Sequence, residues 1–380
     1  MNRRFFLTQS IAALLAVPLL AELPGAGPAK KDAALKAKVE ASVDKGLDFL
    51  KKQQKKDGSW STPDYPALTA LCVLAHLKAP GGKHAKGQVA REGLEYVRKA
   101  AKADGGIYEK GMGNYNTSIC LATFVIAGDT KDATIIENAR KYLAGGQVKN
   151  AAKSEQNGGW GYESGGGRMG RPDLDNTVFA LEALRLAEKQ KPGSSELNWK
   201  AAEEFITHCQ NLKATNQEKW ATDDAENKGG FVYTPSGESP AGESTTADGT
   251  KVPRSYGTMT YAGLLSLLHA DVKKDDPRVV AAVDWLQHHY TLDENPGMGQ
   301  QGIYYYYYIL AKALNAAGIE ELHTTTGKKV SWRADLAAKL MGLQKPDGSW
   351  ASENGRFMEK DPDLVTCYAV IALSTAAEGL

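Results

Sequence analysis

The sequence predicts an all-α chain closed on itself as a ring of six helix pairs, an (α/α)6 toroid. Three observations carry that expectation. A glycine turn followed by an aromatic recurs along the chain. Before each turn lies a segment whose apolar residues return at three- and four-residue steps between Lys and Glu, and after each turn lies a segment almost free of charge. A helix apolar nearly all round must be buried nearly all round, so six wet helices alternating with six dry ones fit an outer ring around an inner one. A straight solenoid would instead expose one face of every repeat and need polar end caps.

The elements follow in order. Residues 1–29 read as a twin-arginine export signal. Asn2-Arg3-Arg4-Phe5-Phe6-Leu7-Thr8 is a paired-arginine start, and the apolar run from Ile11 to Ala21 precedes a zone of small residues. That run is shorter than the ~20 residues that span a bilayer, so no transmembrane helix is expected in the mature chain. The implied location is periplasmic or extracellular. A single ring is expected over residues 33–380. The wet helices are expected at Lys36–Gln54, Lys86–Ala103, Ala133–Gly145, Trp199–Leu212, Pro277–Leu292 and Arg333–Gln344. The dry ones are expected at Ala67–Leu77, Thr117–Ala127, Thr177–Ala187, Thr258–Ala270, Ile303–Ala316 and Val365–Ala377. Between them stand Asp57-Gly58-Ser59-Trp60, Gly105-Gly106-Ile107-Tyr108, Gly158-Gly159-Trp160-Gly161-Tyr162, Gly229-Gly230-Phe231-Val232-Tyr233, Gly297-Met298-Gly299 and Asp347-Gly348-Ser349-Trp350. Glycine at a helix end takes the left-handed conformation that a side chain resists, and the aromatic packs between repeats. The long polar stretch 213–255 interrupts the fourth pair and is expected either as a lid over the ring or as a loose insertion.

Composition narrows the function. A net charge of +1, with no basic stripe or C2H2 spacing, leaves no nucleic-acid groove. Cys72, Cys120, Cys209 and Cys367 fall inside apolar helices and read as core residues. The seven histidines are scattered, so neither a metal nor a cofactor is expected.

If the ring closes, the inner helices run parallel and their N-termini meet at one mouth of a central cavity. The residues entering those helices become the candidate lining: Tyr65, Asn116, Arg254, Tyr256, Tyr304, Tyr305 and Asp363. A largely apolar pocket with a few converging polar groups is the usual form of a small-molecule site, so an apolar small molecule is the expected ligand. A protein partner also stays open. The sharpest element is Asp173-Leu174-Asp175-Asn176-Thr177. Asp173 suits a helix N-cap with Asn176 three residues on, and two neighbouring carboxyls could also raise each other's pKa for acid work.

The Gln-x-x-Asp-Gly-Ser-Trp pattern at Gln54–Trp60 and Gln344–Trp350 resembles the repeat of squalene cyclases and related terpenoid cyclases, a repeat shared with protein prenyltransferase β-subunits. The resemblance spans about residues 33–380. It implies the toroid and, for the cyclases, an Asp-x-Asp-Asp-Thr acid motif. Matched to that motif, Asp175 would be the proton donor and Asp173 its supporting carboxylate, while Asn176 replaces the last Asp. Two departures stand beside the match. The resembling triterpene cyclases use two such rings, and the zinc-binding His-Thr-Cys-Tyr of the prenyltransferases is here Val365-Thr366-Cys367-Tyr368. The resemblance thus implies acid-initiated isomerase or cyclase chemistry on an isoprenoid-like substrate. The other reading of the same residues is a non-catalytic ring that binds a lipid, a glycan or a protein.

Overall fold

Charge distribution sorts the helices as expected. The computed structural model describes residues 33–149, 151–163, 170–193, 197–324 and 327–380, so the expected export signal lies outside the described residues. The outer helices are α1 (Ala33–Gln53), α3 (Gln88–Lys99), α5 (Ala133–Gly146), α7 (Trp199–Thr207), α9 (Pro277–His288) and α11 (Trp332–Leu343). The inner ones are α2 (Pro66–Lys78), α4 (Gly113–Ala127), α6 (Leu174–Gln190), α8 (Gly257–His269), α10 (Ile303–Ala317) and α12 (Pro362–Ala377). In α3 only Ala90, Gly93, Leu94 and Val97 are buried, a single stripe at helical spacing. In α12 every residue from Asp363 to Ala377 is buried, which only an enclosed helix achieves.

The inner helices pack in a closed cycle: α2 on α4, α4 on α6, α6 on α8, α8 on α10, α10 on α12, and α12 back on α2. The chain is therefore an all-α toroid. Among the described residues two short hairpins, unforeseen in the sequence, decorate it. Strand β1 (Glu243–Thr245) pairs with β2 (Lys251–Pro253) inside the 213–255 segment, and β3 (Glu321–His323) pairs with β4 (Lys329–Ser331) before α11.

The repeated turn is a joint between neighbouring repeats. In the first, the Gln54 side-chain amide donates to the carbonyl of Gly58 in its own turn and to that of Val89 in the next outer helix. Trp60 donates its backbone N–H to the Thr69 hydroxyl of the inner helix and its indole N–H to the Leu50 carbonyl of the outer one. Gln147 and Gln210 make the same pair of bonds, to Gly158 and Asn198 and to Gly229 and Arg278. Gly58 has φ +90°, and a Cβ there would lie 2.5 Å from the Glu92 carbonyl oxygen, so this position admits only glycine.

Cys72, Cys120, Cys209 and Cys367 are buried free thiols, and the Sγ atoms of Cys72 and Cys367 sit 3.0 Å apart where α2 meets α12. Among the described residues no helix is long and apolar enough to cross a membrane.

Candidate active site

Because the inner helices run parallel, their first turns surround one mouth. A cavity of about 550 Å3 opens there. Its wall includes the residues immediately before five inner helices: Tyr65, Met112, Asp173, Tyr256 and Gly302.

The Asp173–Thr177 run shows how local structure builds the polar corner. Asp173 is extended at φ −141° and accepts from the Asn176 backbone N–H at 2.8 Å, capping α6. The Asn176 side-chain amide reaches back to both Asp173 oxygens, at 2.8 and 3.1 Å. Thr177 ties the motif to the repeat joint, donating to the Asp173 carbonyl and accepting from the Trp160 backbone N–H. Asp175, free of these tasks, faces the cavity. Its Oδ1 accepts the Tyr305 hydroxyl from α10 at 2.5 Å.

Both carboxyls are pushed up from the ordinary aspartate range. Burial raises Asp173 to about 7, with the neighbouring Asp175 charge adding to it. Burial alone raises Asp175 to about 6, opposed by the Tyr305 hydrogen bond. The two side chains compete for one charge. Asp173 accepts one backbone N–H, both contacts of the Asn176 amide, and a further bond from the Tyr233 hydroxyl, all of which favour the anion. Asp175 has one donor. Burial and the Asp175 charge still leave Asp173 the higher of the two, so Asp175 ionises first as pH rises and carries its proton below about pH 6.

Aromatic rings make the rest of the wall. Tyr115 meets Phe179 edge-on at 5.5 Å, Phe179 stacks on Tyr305 at 6.0 Å, and Tyr305 lies 5.6 Å from Tyr368. The Tyr115, Tyr305 and Tyr368 hydroxyls are held well above the ordinary tyrosine range by burial, with the nearby Asp175 charge next in weight for Tyr115 and Tyr305, so they stay protonated.

Three of the seven residues expected to line the cavity do so: Tyr65, Tyr256 and Tyr305. The other four are corrected. Asn116 is a brace whose Oδ1 accepts the Ala67 N–H and whose amide donates to the carbonyls of Gly111 and Met112. Tyr304 points to the Ala351 carbonyl and stacks edge-on against Tyr307. Asp363 accepts the Ser61 N–H between the last repeat and the first. Arg254 borders a separate polar cleft with Glu226 and His289.

Sequence reasoning missed Tyr162 and Tyr233, whose neighbours Trp160 and Phe231 were read as structural. Both tyrosines line the cavity, while Trp160 and Phe231 are fully buried in the wall. The 213–255 segment is no loose insertion. It supplies Tyr233 and Pro240 to the wall, and Glu238 pairs with Arg171 at the mouth. The opposite rim carries Arg356, Phe357 and Met358. The last two have left-handed backbones (φ +58° and +62°) and are half exposed. Among the described residues no group of three or more His, Cys, Asp or Glu could hold a metal ion.

No protein-family model and no curated protein matches this sequence. Solved structures do. The type II terpene cyclase MstE from Scytonema superposes with a TM-score of 0.56 at 14% identity, over 91% of this chain and 99% of that one. It has also been solved with geranylgeranyl dihydroxybenzoate as substrate, at a TM-score of 0.55 and 13% identity over the same shares. The GH76 α-mannanase of Bacteroides thetaiotaomicron gives 0.53 at 11% identity over 90% and 96%. An α-amylase from Clostridium perfringens gives 0.51 at 12% identity over 88% and 97%. At such identities the likeness is one of fold: this chain has the α/α toroid found in a terpene cyclase and in glycan-processing enzymes.

Proposed function

We propose that the protein is a terpenoid-cyclase-like enzyme that starts carbocation chemistry on an isoprenoid-like substrate, with Asp175 as the acid. The observation that carries this reading is a buried carboxyl facing an aromatic chamber, raised to about 6, braced by Tyr305 and set beside a second buried carboxyl, Asp173. Asp175 gives its proton to one carbon of a substrate double bond, and the other carbon becomes cationic. The carboxylate left behind keeps the Tyr305 hydrogen bond. Ring faces such as those of Phe179, Tyr305 and Tyr368 attract the cation, each contact contributing roughly 0.5–2 kcal/mol. An internal double bond attacks the cation and closes a ring, loss of a proton from a neighbouring carbon to water ends the sequence, and a proton from solvent restores Asp175. No atom is gained or lost, so the reaction is an isomerisation. The paired-arginine start supports a protein that works outside the cytoplasm.

The test is incubation of purified protein with geranylgeraniol and with squalene in mild detergent, followed by mass spectrometry of extracted lipids. The expected result is a product of unchanged mass with fewer double bonds, absent with Asp175→Asn although that variant still binds the lipid. Binding by both proteins with no product from either would overturn the enzyme reading and favour the non-catalytic ring.

A further inference from the structure

Two chords cross the ring between α6 and α10. One is the Asp175–Tyr305 hydrogen bond at the mouth. The other is an ion pair between Glu182 and Lys312, whose side chains are only 14% and 10% exposed. Asp175, Phe179 and Glu182 follow at steps of four and three, and so do Tyr305, Tyr308 and Lys312 at steps of three and four. Each trio therefore shares one helix face. At ~1.5 Å per residue, Phe179 lies roughly 6 Å below the acid and the ion pair roughly 10 Å below it.

The cavity stops between these chords. Phe179, Tyr305 and Tyr368 border it, but Tyr308, Glu182 and Lys312, one turn deeper on the same faces, do not. Below the bordering rings the ring centre is filled. Tyr308 packs on Tyr368 at 5.1 Å and on Tyr305 at 6.0 Å. The Lys312 ammonium donates to the Tyr308 hydroxyl at 2.8 Å and sits 4.6 Å from the Tyr308 ring centroid. A hydrocarbon pushed into this layer would have to separate a buried ion pair and leave each charge without its partner, which strongly disfavours it.

We propose that Phe179, Tyr305 and Tyr368 form a floor, propped by the Glu182–Lys312 pair, that admits only the compact hydrocarbon end of a substrate and thereby sets which bond meets Asp175. The inference rests on the chamber being the site for an isoprenoid-like chain. With so little depth beneath the acid, the chain end abuts Phe179 while the rest of the molecule extends towards the mouth. The residues that fix register are then the rings, and the ion pair holds them in place without touching the ligand.

A bump-and-hole pair tests this. Farnesol and an analogue carrying a phenyl ring at its hydrocarbon terminus are titrated against wild-type protein and Phe179→Ala, with intrinsic fluorescence as the readout. Wild-type protein should prefer farnesol ten-fold or more, and Phe179→Ala should reverse the preference. If that variant does not fold, Phe179→Leu should shift the ratio in the same direction by a smaller factor. A wild-type protein that binds both ligands equally, or a ratio unmoved by the substitution, overturns the floor while leaving the chamber intact. A wild-type protein that binds neither removes the chamber reading itself.

Discussion

The Gln344 side-chain amide donates to the Ser42 carbonyl, a residue 302 positions away, at 2.9 Å. This is the bond that Gln54 makes to Val89 and Gln210 to Arg278, repeated where the last repeat meets the first. The Ser42 hydroxyl returns a bond to the Gln344 side-chain oxygen at 2.7 Å. The circle thus closes with the joint used inside it. Gln344→Ala removes the amide that donates to the Ser42 carbonyl and the oxygen that accepts from the Ser42 hydroxyl. It should lower unfolding stability by about 1–3 kcal/mol, read as a lower urea midpoint with an unchanged slope.

Gly158 makes the strictest of these joints. Its φ is +95°, and a Cβ would stand 1.9 Å from the Ala201 carbonyl oxygen, which is helix backbone and cannot swing away. Gly158→Ala should cost more than ~2 kcal/mol, combining left-handed strain with displacement of α7. Gly193→Ala is the comparison. Its φ of +73° carries similar strain, but nothing lies within 4 Å of its Cβ, so its thermal midpoint should fall much less.

Asp175 trades stability for chemistry. Its folded pKa of about 6 lies above the ordinary value of 3.8, so the folded state binds the proton more tightly than the unfolded chain. The stability this contributes is fully present below about pH 4 and is lost as pH rises through about 6. Asp175→Asn keeps the shape and cannot ionise. It should match wild type near pH 4 and exceed it by roughly 1–3 kcal/mol at pH 8. Thermal melts of both proteins across that range check the sign. His76 and His269, held down to about 4 by burial, titrate in the same window in both proteins and cancel from the difference.

Tyr305 sets how acidic Asp175 is. Its hydroxyl stabilises the carboxylate, so Tyr305→Phe should raise the Asp175 pKa by about one unit. Carbon-13 NMR of labelled aspartate, or the upper limb of a pH–rate profile, reports the shift. A downward shift would show that the hydroxyl accepts from the acid instead of donating to it.

How legible this was in the sequence depends on the length scale of the signal. Charge-rich and charge-poor stretches many residues long marked all twelve helices, because burial averages over whole faces. The site required rotational phase, and one residue turns a helix face by about 100°. Tyr304 and Tyr305 differ by one position in a run of five tyrosines, yet only Tyr305 reaches the cavity. Asn116 and Tyr115 differ in the same way: Tyr115 lines the wall and Asn116 caps the neighbouring backbone. Arg356, Phe357 and Met358 lie in a loop whose left-handed residues are not glycine, so composition gave no hint of the turn. The two hairpins escaped notice because three-residue strands carry too little periodicity to register.

Asn176 is where resemblance and geometry disagree. The cyclase motif would place a third carboxyl there, which suggests that Asn176→Asp restores a stronger acid. Here the Asn176 amide donates to both oxygens of Asp173, and those bonds stabilise the Asp173 anion against the burial that raises its pKa. An aspartate at 176 would present oxygen to oxygen at about the same separation. Asp173 would then hold its proton more tightly, and beside a neutral Asp173 the cavity-facing Asp175 would ionise more readily, which depletes the acid. Asn176→Asp should therefore lose about 1–3 kcal/mol of stability at pH 8 and much less at pH 4, because protonation relieves the repulsion. In the isomerisation assay its product yield at pH 7 should fall. A variant as stable as wild type at pH 8, or one with higher yield, would mean that Asn176 does not act as the donor that fixes the charge on Asp173.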